Sequence, residues 1–175
     1  MTFATLKEIG IACEFVAEQA RQYIAHKRFQ LSLLPEEALT LDDEDQLRIM
    51  QQQISIEHMF SQVCDKQTII VCDSSPLNSL LYMSNDMRET AITQKLVEKA
   101  TFGADLIFYA PPVIEGSTVD ANRIHDQQQS IKIDESIPKI LSEIAPAAWK
   151  SIVPLHGDPK ARLGQVTSAI MLRRF

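Results

Sequence analysis

Cysteine is scarce in this chain: Cys13, Cys64 and Cys72 are the only three among 175 residues, and no C-x-x-C pair occurs. That count excludes a disulfide framework and offers zinc no ligand set, so the thiols read as reduced side chains of a cytoplasmic protein. Long apolar runs are lacking too. No stretch nears the ~20 residues that a membrane-crossing helix needs, and Met1 to Glu8 holds no apolar segment of leader-peptide length. Positive charge is in short supply, with 17 Lys and Arg against 23 Asp and Glu and a formal net charge of −6. The balance argues against nucleic acid as a partner, because phosphate binding rests on clustered cations. Arg173 and Arg174 do not reverse it.

What is present suits a globular chain. A 45% apolar and 23% charged composition argues against disorder. The length fits one domain, residues 1–175, burying roughly 70% of the surface its unfolded chain exposes. No internal repeat, low-complexity tract or linker divides it.

Strand and helix signals alternate along the sequence. Thr2 to Ile9 reads as a helix ending at Gly10, Ile11 to Val16 as a strand, and Glu18 to Lys27 as a helix. A long helix from Asp42 to about Cys64 begins with acids at the positive end of its dipole. Leu47, Met50 and Ile54 lie on one side of it and Ile49, Ile56, Phe60 and Val63 nearly opposite, which predicts a helix wedged between neighbours. Thr68 to Cys72, Leu106 to Ala110 and Ser151 to Leu155 are short apolar runs of the kind found in buried parallel strands. Helices are expected over Pro76 to Tyr82, Met87 to Ala100, Ile133 to Ile144 with a kink or restart at Pro138, and Lys160 to Leu172. This order predicts an α/β fold around a mostly parallel sheet.

Ligands of such sheets gather at the carboxyl ends of the strands. Three of those ends carry polar residues: Glu18, Asp73 to Ser75, and His156 to Asp158. The strand ending at Ala110 is followed instead by a long segment, Val113 to Asn122, of the length used for lids.

Several of these segments, in collinear order, resemble the P-loop kinases close to NadR. Glu18, Ala20, Arg21 and Tyr23 match E-x-A-R-x-[YW], and Gln53 with Glu57 matches Q-x-x-x-E on the next long helix. Ile70-Val-Cys-Asp-Ser-Ser75 is similar to the Walker-B-like strand end, and Asp105-Leu-Ile-Phe to the D-L-Y-L strand. Asp120-Ala-Asn-Arg123, with Asp126 nearby, resembles the lid segment, and Leu155-His-Gly-Asp-Pro-Lys-Ala-Arg-Leu163 the S-G-D-x-x-x-R-L before the last helix. The wider group includes nicotinamide riboside kinases and AAA-type ATPase domains. The resemblance implies a three-layer P-loop NTPase or nucleoside-kinase fold, with ATP and Mg²⁺ as cofactors and a nucleoside-like hydroxyl as phosphoryl acceptor. It further implies catalytic roles for Glu18, Asp73 and Arg123, with Asp73 also holding the metal. Acceptor contacts fall to Arg21, Gln53, Glu57 and Ser74, and nucleotide contacts to Gly157 and Asp158.

One departure stands against these matches. The family opens with a strand and the loop G-x-x-x-x-G-K-[ST], whose amides and lysine cradle the phosphates. No such sequence occurs here, and none of the five glycines precedes a lysine. In the family that strand is central, between those ending here at Asp73 and Ala110. Without it two strand edges would stand unpaired, at about 1 to 3 kcal/mol for each unsatisfied buried group. Either roughly 15 to 20 further residues precede Met1, enough for a strand and its loop, or another segment or a second subunit fills the gap. A non-catalytic remnant that keeps the acceptor pocket, and forms a homodimer through its open edges, is the alternative to a kinase.

Each candidate also has a plain structural reading. Asp73 could cap the segment after Pro76, as could Ser74 or Ser75. Glu18 and Arg21 could be a surface ion pair, worth at most ~1 kcal/mol. Gln53 and Glu57, four residues apart on a helix, could simply bond each other. Arg123 could cap a helix, and Asp120 and Asp126 could anchor their loop. Asp158 could be the N-cap of the last helix with Pro159 at its first position. His26, His58 and His125 show no ligand spacing, and Trp149 reads as a packing residue.

Overall fold

A capping box starts the longest helix. Asp42 accepts the Asp45 backbone N–H at 2.9 Å, and the Asp45 carboxylate accepts the Asp42 N–H at 2.9 Å. This fixes α3, Asp43–Val63, by satisfying two amides that a helix start otherwise leaves orphaned. The computed structural model describes residues 2–34, 37–111 and 127–174. The expected lid, with Asp120, Arg123 and Asp126, lies outside the described residues.

The remaining elements follow the alternation of the sequence: α1 Thr2–Glu8, β1 Cys13–Val16, α2 Gln19–Gln30, then α3 and β2 Ile69–Cys72. A 3₁₀ helix, Pro76–Tyr82, leads to α4 Asn85–Arg88, α5 Ala91–Phe102 and β3 Ile107–Tyr109. Then come α6 Gln127–Ile144, α7 Pro146–Ser151, β4 Ile152–Pro154 and α8 Pro159–Arg174. Pro138 is held inside α6 rather than restarting it. The short α7, whose Trp149 packs against the larger core, has no counterpart among the expected helices.

All strand pairing is parallel, as the alternation requires. β1 pairs with β2 in the register Cys13↔Ile69 to Val16↔Cys72, and β3 with β4 from Ile107↔Ile152 to Tyr109↔Pro154. The expectation of one sheet is met only in part: among the described residues the four strands form two separate two-stranded pairs. With one partner each, Ile69, Ile70 and Val71 are half-buried and Cys72 is exposed, where the apolar run suggested burial on both faces. Pro154, which has no N–H to give, sits in the edge strand β4, where a proline is tolerated.

Two cores match the two pairs. The larger gathers Met50, Leu77, Leu80, Val97, Leu141 and Ala148 with flanking Ile107 and Ile152. The smaller gathers Leu6, Ile11 and Cys13 with Ile69, Val71, Ile170 and Met171. Helix α8 touches both strand pairs. Its Ile170 and Met171 pack on the smaller core, while Arg162 donates to the Pro111 carbonyl at 2.6 Å and Arg173 to the Asp105 carbonyl at 2.5 Å, either side of β3. The wedge expected of α3 holds for its first half, where Ile49 and Met50 are buried; Met59 and Val63 in the second half are exposed.

Asp45 makes one of the links between helices α2 and α3. The Asp45 carboxylate accepts the Tyr23 hydroxyl at 2.7 Å and pairs with the Lys27 ammonium. Burial acts to raise its pKa, but Lys27, Tyr23 and the Asp42 amide outweigh that and hold it at about 2. Among the described residues no helix is long and apolar enough to cross a membrane.

Candidate functional site

Parallel pairing brings the ends of β1 and β2 to one rim. The Asp73 N–H donates to the Val16 carbonyl at 3.0 Å, carrying the ladder one residue past β2. Glu18 follows β1 at that rim and Asp73 follows β2, so the pairing places together two carboxylates that lie 55 positions apart in sequence.

Alternation decides which side chains face which helix. Cys13, Ile69 and Val71 turn to the α1 and α8 side, where they join the smaller core. Cys72, one residue on, turns to α3, where it lies close enough to Glu57 for the two to act on each other electrostatically. Glu57 also accepts from Gln53 Nε2 at 2.7 Å, and Gln53 Oε1 accepts the Gln19 N–H at 3.0 Å. Hydrogen bonds thus run from the β1–α2 turn to Glu57 on α3, which lies beside Cys72 at the end of β2.

The electrostatics of this rim follow from its packing. Burial pushes the Glu57 carboxyl above its ordinary value, although Gln53 and Cys72 pull the other way. Cys72 keeps exposed surface as a residue, yet desolvation of its sulfur and then the Glu57 charge push the thiol up to about 12. A thiol held there is not a nucleophile at neutral pH. Tyr82, at the end of the 3₁₀ helix, is raised by desolvation and then by the charge of Glu18, which places it at the same rim.

The remaining expected residues fall as follows. Glu18 has 34% of its side chain exposed and lies 3.6 Å from Arg21, in a loose i,i+3 ion pair. The cap of the segment after β2 is Ser75, whose hydroxyl accepts the Leu77 N–H at 3.3 Å. Ser74 instead accepts from Asn78 at 2.9 Å. The Asp73 carboxylate, exposed at the end of an apolar strand, has no hydrogen-bond partner among the described residues.

Gly157 and Asp158 stand at the end of the other pair, after β4. Asp158 accepts the Ala161 N–H at 2.8 Å, so it does cap α8, with Pro159 at the first position. Gly157 has φ +83°, a conformation that favours glycine, and an added Cβ would lie 3.1 Å from that of Ala161. Arg162, quoted in the motif without a role, ties this turn to the end of β3 by donating to the Gly157 and Pro111 carbonyls.

The sequence did not bring Cys72 and Tyr82 into the site. Both sit beside motif residues, but their approach to Glu57 and Glu18 depends on tertiary packing. Two surface cavities lie near the candidate residues. One, of about 510 Å³, runs along α3 from Gln19 and Arg48 to Met59, and the other, of about 320 Å³, lies between α4 and α6 around Arg88 and Lys139. Neither is lined by Glu18 or Asp73. No group of three or more His, Cys, Asp or Glu side chains converges as a metal site among the described residues.

Residues 2–155 match the family model described as an AAA domain. No curated protein and no solved structure matches the chain.

Proposed function

From the premise that this chain belongs to the AAA domain family, a nucleotide-binding P-loop family, we propose that the β1–β2 rim is the acceptor side of a phosphoryl-transfer site. The acceptor is a nucleoside-like hydroxyl, as the resemblance to NadR-type kinases implies. The observation that carries the reading is the convergence of Glu18, the Gln53–Glu57 pair and the Cys72–Asp73 strand end on one rim. In this reading Glu18 engages the acceptor hydroxyl, with Arg21 and Ser74 beside it, and Asp73 faces a cation or a ribose. In the family Mg-ATP supplies the transferable phosphoryl group.

The residues present fit one half of Mg-ATP. An exposed, unpaired carboxylate ending an apolar strand suits Mg²⁺, a hard cation that binds oxygen and keeps much of its water. The triphosphate half does not fit. No glycine precedes a lysine, and among the described residues the glycines at positive φ, Gly10 and Gly157, follow α1 and precede α8 rather than forming a phosphate loop. No step is therefore drawn through ATP on these residues. The reading assigns the family's first strand and its loop to the space between β2 and β3. The division of the strands into two pairs supports that assignment.

Calorimetric titration tests the reading. A ribonucleoside should bind the 175-residue chain, and Glu18→Gln or Asp73→Asn should each weaken it roughly tenfold, the loss of one charged hydrogen bond. A chain that takes up no ribonucleoside overturns the reading. The second reading, a remnant that binds but transfers nothing, is favoured by the lack of G-x-x-x-x-G-K-[ST]. Micromolar binding of Mg-ATP by this same chain would count against it.

A further inference from the structure

The start of α2 leaves a local rule unmet. The residue before a helix is ordinarily Ser, Thr, Asp or Asn, whose side chain takes one of the orphan amides of the first turn. Here that residue is Glu18, and its side chain makes no capping bond. The Gln19 N–H is taken instead from across the structure, by Gln53 Oε1 on α3 at 3.0 Å. The other end of the same amide donates to Glu57 at 2.7 Å.

Gln53 is 3% exposed, so both ends of its amide are turned to protein. A buried amide is tolerated because it is satisfied, but satisfaction alone does not explain its presence. A serine or aspartate at position 18 would start the helix locally, and an apolar residue at 53 would fill the space. What the amide does is hold two other groups. The Gln19 N–H belongs to the Glu18–Gln19 peptide plane, so fixing it fixes the backbone from which the Glu18 side chain springs. The same residue fixes the Glu57 carboxylate.

We infer that Gln53 is a positioning residue: it holds the first amide of α2 and with it the backbone that carries Glu18, and it orients Glu18 and Glu57 together at the rim. The ligand served by this arrangement rests on the proposed acceptor site, whereas the orienting bonds do not. Local sequence rules are most often broken where function requires it.

Two variants of the full chain test this, Gln53→Met, which can neither donate nor accept, and Gln53→Glu, which keeps the acceptor alone. Hydrogen exchange at the Gln19 amide should quicken about tenfold in Gln53→Met, the loss of one hydrogen bond, and stay slow in Gln53→Glu. The Glu57 carboxyl, followed by carbon-13 NMR, should titrate higher in both, since each loses the donor that favours its charged form. Ribonucleoside affinity should fall roughly tenfold in both. Unchanged Gln19 exchange and unchanged Glu57 titration in a folded Gln53→Met protein overturn the inference. So does a changed titration with ribonucleoside affinity intact, which would make Gln53 structural only. Should the wild-type chain bind no ribonucleoside, the acceptor reading fails by itself, and exchange and titration still decide whether Gln53 orients its neighbours.

Discussion

Replacing Asp45 by Asn should cost this protein about 2 kcal/mol at neutral pH. The side chain is 7% exposed and paired with Lys27, which is 24% exposed, so solvent screens the pair little. Its carboxyl is held at about 2 against an ordinary 3.8. At about 1.36 kcal/mol per pH unit this corresponds to roughly 2 kcal/mol of folding stability. Asparagine can still accept from Tyr23 and from the Asp42 N–H, but it cannot answer the Lys27 charge. For a chain of this size the melting temperature should fall by roughly 4 to 8 °C. The sign with pH is fixed by the direction of the shift. A lowered carboxyl contributes fully above its unfolded value and loses that contribution as pH falls towards its folded one. Urea unfolding of both proteins from pH 7 to pH 3 should therefore show the gap narrowing by about half at the acid end. A gap of the same size throughout that range would refute the electrostatic account and leave a packing effect in its place.

Two further outcomes follow from the same physics. With its thiol pushed up to about 12, Cys72 should alkylate at pH 8 roughly a hundredfold more slowly than in the unfolded chain. Glu57→Gln should speed it, and equal rates in folded and unfolded protein would deny the burial that chiefly raises the thiol. All three tyrosines, Tyr23, Tyr82 and Tyr109, are raised above 10.0, chiefly by desolvation, with Tyr109 at about 12 beside Asp134. Ultraviolet titration should show less tyrosinate at pH 10 in the folded protein than in the unfolded one. Stability should fall as pH rises from 10 towards 12, because the folded state then holds more protons than the unfolded one.

The parts of this fold legible in the sequence are those with a local cause. Apolar runs at Ile69–Cys72 and Ile107–Tyr109 and the acid-rich start of α3 each act within a few residues, and each became the expected element. The division into two strand pairs was not legible, because pairing depends on which edges meet and not on any run. The same contrast governs the site. Ser75, Asp73 and Ser74 were equal claimants to one cap, and only backbone geometry selected Ser75. Gln53 and Glu57 do bond each other, as their spacing allows. The reach of Gln53 to Gln19, 34 residues away, has no sequence signature, since a polar residue on a helix reads as solvated. Asp73 and Glu18 were legible because strand ends in parallel sheets face the same way whatever the sequence between them.

The double duty of α8 bears on how the protein is made. Its first and last turns grip the backbone around β3, and its apolar face completes a core begun by α1, some 150 residues earlier in the chain. A growing polypeptide emits α1 and the β1–β2 pair early, but their covering helix only when residues 159–174 emerge from the ribosome. Until then Leu6, Ile69 and Val71 would stand uncovered, with closure waiting on a contact distant in sequence. A chain stalled or clipped ahead of Pro159 should therefore be a client of chaperones rather than a smaller working protein.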